Sequence, residues 1–311
     1  MTFYTFDPGD YVDLAAEQDA PALVAAKVAA LPWEALESSP QDLARRYVRR
    51  ALALETGQIS LEEAAVLRAA AKYGRALEHV VMLYRHLATK GIPFEVEISV
   101  DETDAPTSLT EHVYMAGELA RLGVRWVSLA PRYVGRFEKG IDYIGDPDAL
   151  AKDLDGHAQV ARALGPYKLS LHSGSDKLTV YPLIAHATRG MVHLKTAGTS
   201  YVEALRVVAR HDSALFRAIL ALAREHYRQD QASYHVSADV GQVPDGPRVA
   251  DGALVGLLDQ RDTRQVLHVT FGSVLAALGG QIKAALQAHE QDYAETLDAH
   301  FYRHLDPLMS P

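Results

Sequence analysis

The residues best suited to chemistry in this chain fall in or just after short β-type runs. Phe94-Glu-Val-Glu-Ile-Ser-Val100 alternates in character, so Val96, Ile98 and Val100 share one face and Glu95, Glu97, Ser99 and Asp101 the other. Carboxylates turned into an interior are costly unless they bind a metal or exchange protons with a substrate. The plain alternative is an edge strand with a solvated face. Lys168-Leu-Ser-Leu-His172 repeats the pattern, with Leu169 and Leu171 outward and Lys168, Ser170 and His172 inward. The loop that follows, Ser173-Gly-Ser-Asp-Lys177, gathers hydroxyls, backbone N–H groups, a carboxylate and an ammonium, a set able to hold the carboxylate or hydroxyls of a sugar acid. Its rival reading is an ordinary polar turn. On Val192-His-Leu-Lys195, His193 and Lys195 share a face, and Thr196-Ala-Gly-Thr-Ser200 then leads into a helix, where an anion cradle fits. A histidine–lysine pair alone is more often structural; with His172 on a neighbouring strand it becomes a candidate metal or acid–base site. Arg132, after Val124–Ala130, is suited to a bidentate carboxylate clamp. His235 and His268 lie among apolar residues, where a satisfied core histidine competes with a ligand role.

Positioning these residues requires a particular set of elements. Phe3–Phe6 reads as a strand closed by Asp7-Pro-Gly-Asp10. Leu23–Leu31 and Leu43–Leu54 read as helix, and Ser60-Leu-Glu-Glu63 as a capping box opening a helix that runs to Leu87 and stops at Gly91-Ile-Pro93. Ser108-Leu-Thr-Glu111 is a second capping box, for a helix ending at Gly123. A helix is predicted from about Pro147 to Leu164, and helix dominates from Ala204 to Arg228 and from about Thr263 to Leu305. Tyr234–Val240 and Val266–Phe271 fit strands, the second equally a helix capped by Asp262. Strands alternating with helices imply βαβ units and a parallel sheet, with polar residues at the strand ends where an α/β barrel carries its active site. Five strands are clear, and a closed barrel of this type needs eight.

Composition narrows the classes. The 311 residues are 48% hydrophobic and 23% charged, as in a soluble globular protein, and permit one large α/β domain or two smaller ones. Without cysteine there are no disulfides, thiolate nucleophiles or zinc fingers, so a metal would be held by the fourteen histidines and by carboxylates. A net charge of -9 gives no basic face for nucleic acid. The N-terminal residues do not read as a signal peptide, no run approaches about 20 apolar residues, and a cytoplasmic, membrane-free protein is expected. Phosphate-loop, dinucleotide and nucleophile-elbow motifs are absent from the sequence.

Eight collinear segments resemble the tagaturonate epimerase family, enzymes of hexuronate breakdown that interconvert tagaturonate and fructuronate. They are Thr5–Asp10, Glu97–Asp104, Val127–Arg132, Phe137–Asp142, Leu169–Lys177, His193–Ser200, Tyr234–Asp239 and Leu267–Val274. The resemblance implies a TIM-type (β/α) barrel and a divalent metal such as zinc, manganese or nickel. It also implies a departure, because family members carry a long segment before the Phe-Asp-Pro-Gly-Asp region that holds the first barrel strands. The expected fold is therefore a single α/β barrel-type domain over 1–311, incomplete at its N-terminus, with strands and helices over 1–200 and a mainly helical part over 201–311. A homo-oligomer or a companion chain supplying the missing strands is the expected partner, beside a hexuronate substrate.

The family reaction inverts C4 of a 2-keto sugar acid. Enolisation acidifies only positions α to the ketone, so retro-aldol cleavage of C3–C4 and re-addition is the expected route, needing a base for the C4 hydroxyl and a cation for the enediolate. Strand parity assigns Glu97, His172 and His193 as metal ligands and Asp101 and Lys195 as acid–base residues. Arg132, Ser173, Ser175, Asp176, Lys177, Thr196, His235 and His268 are left to meet substrate. The rivals are another metal-dependent sugar-acid aldolase or isomerase using the same residues, and a non-catalytic remnant.

Overall fold

The computed structural model describes residues 2–196, 198–234 and 236–309, so His235 lies outside the described residues. In chain order the elements are β1 (Phe3–Phe6), α1 (Pro21–Ala29), α2 (Pro40–Tyr47), β2 (Arg50–Ala53), β3 (Gln58–Leu61), α3 (Glu63–Ala88), β4 (Glu95–Ser99), α4 (Leu109–Arg121), β5 (Ser128–Ala130), α5 (Pro147–Leu164), β6 (Lys168–Leu171), α6 (Tyr181–Thr188), β7 (Val192–Leu194), α7 (Thr199–His211), α8 (Ser213–Asp230), α9 (Arg261–Val269), α10 (Phe271–Ala288) and α11 (Glu290–Met309). They divide between two compact units. The first comprises Met1–Val134, Asp146–Leu171 and His186–His193; the second comprises Gly135–Gly145, His172–Ala185 and Leu194–Pro311. The second unit thus takes in 135–145 and 172–185 as well as the helical part read from the sequence.

The first unit holds a five-stranded sheet in the order β1-β4-β5-β6-β7, parallel through β1, β4, β5 and β6. Val96, Ile98 and Val100 pack into a core with α3 and α4 through Val66, Tyr73, Leu77, Val113 and Leu119. The α4 capping box is present as read, with Ser108 and Glu111 each capping the other's backbone. Two expectations near α2 are corrected. The Leu43–Leu54 stretch is helical only to Tyr47, and β2 and β3 form an antiparallel hairpin pairing Arg50 with Leu61. Gly57 at φ +86° makes the turn that a side chain would strain. Ser60 is therefore a strand residue, and Glu62, without a side-chain cap, precedes α3. The helix-favouring Ala-Leu-Ala of β2 yields to cross-strand pairing.

No closed barrel is formed by the described residues, but the sheet curls strongly. Strands spaced about 4.8 Å apart would put β7 roughly 14 Å from β4 and 19 Å from β1 in a flat sheet. Nevertheless His193 on β7 lies 2.5 Å from the carboxylate of Glu97 on β4, and its ring centroid is 5.2 Å from that of Phe3 on β1. The curl places Thr5, Glu97, Ser128, Ser170 and His193 on one polar inner face.

The second unit is helical. Val202, Leu205 and Val208 of α7, Phe216, Ile219 and Leu220 of α8, Val266 and Leu267 of α9, and Val274 and Ile282 of α10 build its core. Tyr234–Val240 contains no strand among its described residues, and Val266–Val269 lies within α9. Asp262 does not cap α9; its carboxylate accepts from the backbone N–H of Asp239 at 2.8 Å. The helix read over Ala204–Arg228 is two, broken at Asp212, whose side chain caps α8 by accepting from Leu215 N–H at 2.9 Å. No single described helix is long and apolar enough to cross a membrane; α9 and α10 pass that test only as a pair bent by 79°.

Behind the sheet, α4 and α5 bury His112 and His157 completely. Tyr167 O–H donates to His112 Nε2 at 2.7 Å, His112 Nδ1 and His157 Nδ1 are 2.8 Å apart, and His157 Nε2 reaches Thr107 O at 3.0 Å. With Tyr167 donating, neutral rings complete the relay, His112 Nδ1–H donating to His157 Nδ1 and His157 Nε2–H to Thr107 O. Burial, and then His157, holds His112 well below the usual histidine range, while burial lowers His157 to about 4. Both folded values lie below the unfolded one, so the relay's stability is intact above about pH 6.5 and is lost as the pH falls toward 4. The slope is about 1.4 kcal/mol per pH unit for each histidine, read as a falling urea midpoint. Tyr167→Phe, which leaves His112 Nε2 without its donor, should lower stability by about 1–3 kcal/mol at pH 7 in the same assay.

Candidate functional site

In the first unit, register brings the polar groups to one level. Thr5 pairs with Glu97 across β1/β4, and Glu97 with Ser128 across β4/β5. Glu97 is fully buried. Thr5 O–H donates to its Oε1 at 3.1 Å, Ser128 O–H to its Oε2 at 2.6 Å, and His193 Nδ1–H to Oε2 at 2.5 Å. Ser170 Oγ is 3.4 Å from the same nitrogen. The side chain of His193 is 32% exposed, so the dyad joins a dry carboxylate to an imidazole that reaches solvent. Glu97 fixes Nδ1 as the donor and leaves Nε2 as the lone-pair nitrogen, able to take a proton or hold a cation. As a metal donor this group offers one atom, His193 Nε2, since both Glu97 oxygens already accept hydrogen bonds.

The structure brings Glu97 and His193 together as strand parity implies. Ser99 O–H donates to Asp101 at 2.6 Å at the end of β4. Lys168, read as inward, is exposed at the start of β6. Arg132 is half-buried, its backbone clasped by Thr107: Arg132 N–H donates to Thr107 Oγ1 at 3.0 Å and Thr107 N–H to Arg132 O at 2.8 Å. The histidine relay thus ends on the residue that seats Arg132.

The remaining described candidates belong to the second unit. His172, the residue after β6, is buried; Ser173 is half-buried at φ +48°, and Ser175 is buried. Lys195 and Thr196 are exposed, and Lys195 O accepts from Gly174 N–H at 3.0 Å. Lys177 is fully buried and donates to Glu138 O at 2.8 Å, Ile141 O at 2.6 Å and Ser175 O at 3.0 Å. These three bonds occupy all three ammonium protons, so its present work is to tie 138–141 to its own loop. Burial pushes it down to about 8, against the raising effect of Asp176, Asp142 and Glu138. Tyr181 completes the loop, donating to Gly174 O at 2.5 Å and accepting from Lys177 N–H at 3.1 Å.

His268 is buried on α9 against Gly140 and Gly198, both at positive φ; a Cβ on Gly198 would stand 2.6 Å from its ring. Burial, and then the charge of Lys139, lowers it to about 4. The anion cradle expected at Thr196–Ser200 is partly spent, since Thr199 Oγ1 lies 3.1 Å from His300 Nε2.

Several residues escaped sequence reading. Asp176 holds Arg264 at 3.0 Å, and Arg264 reaches Glu203 at 3.0 Å and Gly140 O at 2.8 Å. Asp176, His300 and His304 carry donor atoms within 4.8 Å of one another, a group with metal-ligand chemistry. The four-residue spacing of His300 and His304 on a helix was the available signal. Beside them, a cavity of about 500 Å³ is lined by Arg206, Arg261, Arg264, Arg303, Asp142 and Asp176 among others.

Comparison with known proteins places these features in context. A family model described as tagaturonate epimerase matches residues 1–308. The chain is 42% identical to a tagaturonate/fructuronate epimerase of Thermotoga maritima over 266 residues, 85% of this chain and 55% of that protein. The native crystal structure of the fructuronate-tagaturonate epimerase UxaE from Cohnella laeviribosi superposes with a TM-score of 0.93 at 34% identity, covering 99% of this chain and 64% of that one. Its complex with two glycerols gives 0.92 at 33%, with the same coverage. The chain thus spans between half and two thirds of the length of these relatives.

Lys177→Met strands three buried carbonyls and should lower stability by about 2–5 kcal/mol in urea unfolding, with proteolysis appearing first in 138–145 and 173–180.

Proposed function

Because the chain belongs to the tagaturonate epimerase family, we propose that it supplies the catalytic strand ends of an epimerase that inverts C4 between tagaturonate and fructuronate. The observation that carries this reading is the Glu97–His193 dyad, a base of fixed tautomer on a partly exposed ring. His193 Nε2 takes the proton of the C4 hydroxyl as the C3–C4 bond breaks. The C4 carbon becomes an aldehyde, and the bonding electron pair passes to C3 and onto the C2 oxygen as an enediolate. Rotation of the aldehyde presents its other face, C3 attacks it, and the proton returns to the C4 oxygen. Glu97 stabilises the imidazolium formed between these steps, and Ser128 and Thr5 keep that carboxylate in place.

Metal dependence is part of the reading. A bound divalent cation would supply charge to stabilise the enediolate, with the lone pair of His193 Nε2 kept for the proton of the C4 hydroxyl. The curl of the sheet supports its being an arc of a (β/α) barrel, with the remaining strands supplied by a further segment or a companion chain. A cytoplasmic location and a hexuronate as the small-molecule partner belong to the same proposal.

Incubation with tagaturonate, of the chain alone and of the chain mixed with the N-terminal segment of a longer relative, should yield fructuronate by NMR. Glu97→Gln and His193→Ala should each lower turnover by about 100-fold or more. Chelation should abolish it, with recovery on adding zinc, manganese or nickel. Wild-type turnover in both variants, or no fructuronate in either mixture, would overturn the assignment.

A further inference from the structure

Helix α11 divides its residues against the usual rule. It buries Thr296, His300 and His304 and leaves Phe301, Tyr302, Leu305 and Met309 exposed, although an amphipathic helix ordinarily buries its apolar stripe. Two imidazoles enclosed in this way need a compensating interaction.

The bonding of the two rings indicates what it is. His304 Nδ1–H donates to His300 O at 2.7 Å, which leaves Nε2 as its lone-pair nitrogen. His300 Nε2 is held by the Thr199 hydroxyl at 3.1 Å, which leaves Nδ1. These two nitrogens face Asp176 Oδ1, at 3.9 Å from His304 Nε2 and 4.0 Å from His300 Nδ1. Arg264 occupies the other carboxylate oxygen, Oδ2, and so turns Oδ1 toward the rings. His300 Nδ1 is buried and makes no hydrogen bond among the described residues, a condition that costs about 1–3 kcal/mol. His304 Nε2 has only the backbone N–H of Asp176, at 3.1 Å. The electron pairs of two nitrogens and one oxygen therefore converge on a space that a cation would fill.

We propose that Asp176, His300 and His304 bind one divalent transition-metal ion of the zinc type, separate from the strand-end group, and that this ion fastens α11 to the 172–177 loop. Two imidazoles and a carboxylate suit zinc or its neighbours and not calcium or magnesium, which prefer all-oxygen shells. Tetrahedral zinc with bonds of about 2.1 Å keeps its donors about 3.4 Å apart, so Asp176 Oδ1 needs to close on each nitrogen by only about half an ångström. The Asp176 N–H bond to His304 is exchanged for the metal bond. The two second-nitrogen contacts, to His300 O and Thr199 Oγ1, are the kind that orient histidine ligands. Arg264 and Arg206 bring positive charge nearby, matched by Asp176 and Glu203, which they pair.

The test is titration of the chelator-treated full chain with cobalt(II), followed by its visible absorption, and with zinc, followed by melting temperature. One equivalent of cobalt should give the intense bands of a four-coordinate ion, and zinc should raise the melting temperature. His304→Ala should weaken binding by about 100-fold or more, and Glu97→Gln with His193→Gln should leave this binding unchanged. Thr199→Val, which keeps all three ligands, should weaken it by about 10- to 100-fold, and it decides the matter if His304→Ala does not fold. No cobalt or zinc binding by the wild-type chain overturns the proposal, as does unaltered affinity in Thr199→Val, or in His304→Ala where it folds. Loss of the bands in the Glu97/His193 variant places the ion at the strand ends and likewise overturns it.

Discussion

Glu97 keeps a carboxylate out of water at the level where four strands present side chains, and the architecture of the first unit follows from satisfying it. An unpaired carboxylate so placed would cost several kcal/mol. Thr5 and Ser128 can reach it because the parallel register sets them directly across from it. His193 can reach it only because the sheet curls. The apolar residues that alternate with these, Val96 and Ile98 on β4 and Leu169 and Leu171 on β6, are buried on the other side. A one-residue slip of β4 would exchange the two sets, sending Glu97 toward the aliphatic core.

Charge is managed differently elsewhere. The His112–His157 relay avoids it, passing neutral hydrogen bonds from Tyr167 to Thr107 and so to the backbone of Arg132. Lys177 retains its proton in a nest of carbonyls, a loop-closing device whose donor is an ammonium. The Asp176 group does neither. Arg264 answers one oxygen of the carboxylate, while the other faces the ring nitrogens of His300 and His304.

Much of this was legible in the sequence wherever side-chain alternation carried the signal. Parity placed Glu97 and His193 on the polar side, and Ser108–Glu111 declared the start of α4 through its own chemistry. Where competing propensities decide, the sequence reads poorly. The Ala-Leu-Ala of β2 favours helix intrinsically, and only pairing with β3 makes it a strand. Ser60-Leu-Glu-Glu63 has the letters of a capping box, yet Ser60 is claimed by the hairpin. Val124–Ala130 suggested seven strand residues, but the strand spans only Ser128–Ala130. Lys177 looked like a ligand because loop composition does not tell which carbonyls will surround an ammonium. His300 and His304 were passed over because periodicity counts histidine as polar and expects it outside.

The contributors to the Glu97 cluster, residues 5, 97, 128, 170 and 193, are drawn from nearly two thirds of the chain. No two consecutive members are closer than 23 positions. Each contact closes a long loop and has an entropic cost before it returns any stabilisation. The cluster is therefore absent from any chain built short of residue 193. During synthesis the carboxylate waits for its last partner until residue 193 has emerged, with the helices between already able to form. The Glu97–His193 pair thus forms only once β7 has joined the sheet, and a molecule that displays it has, by that fact, added that strand.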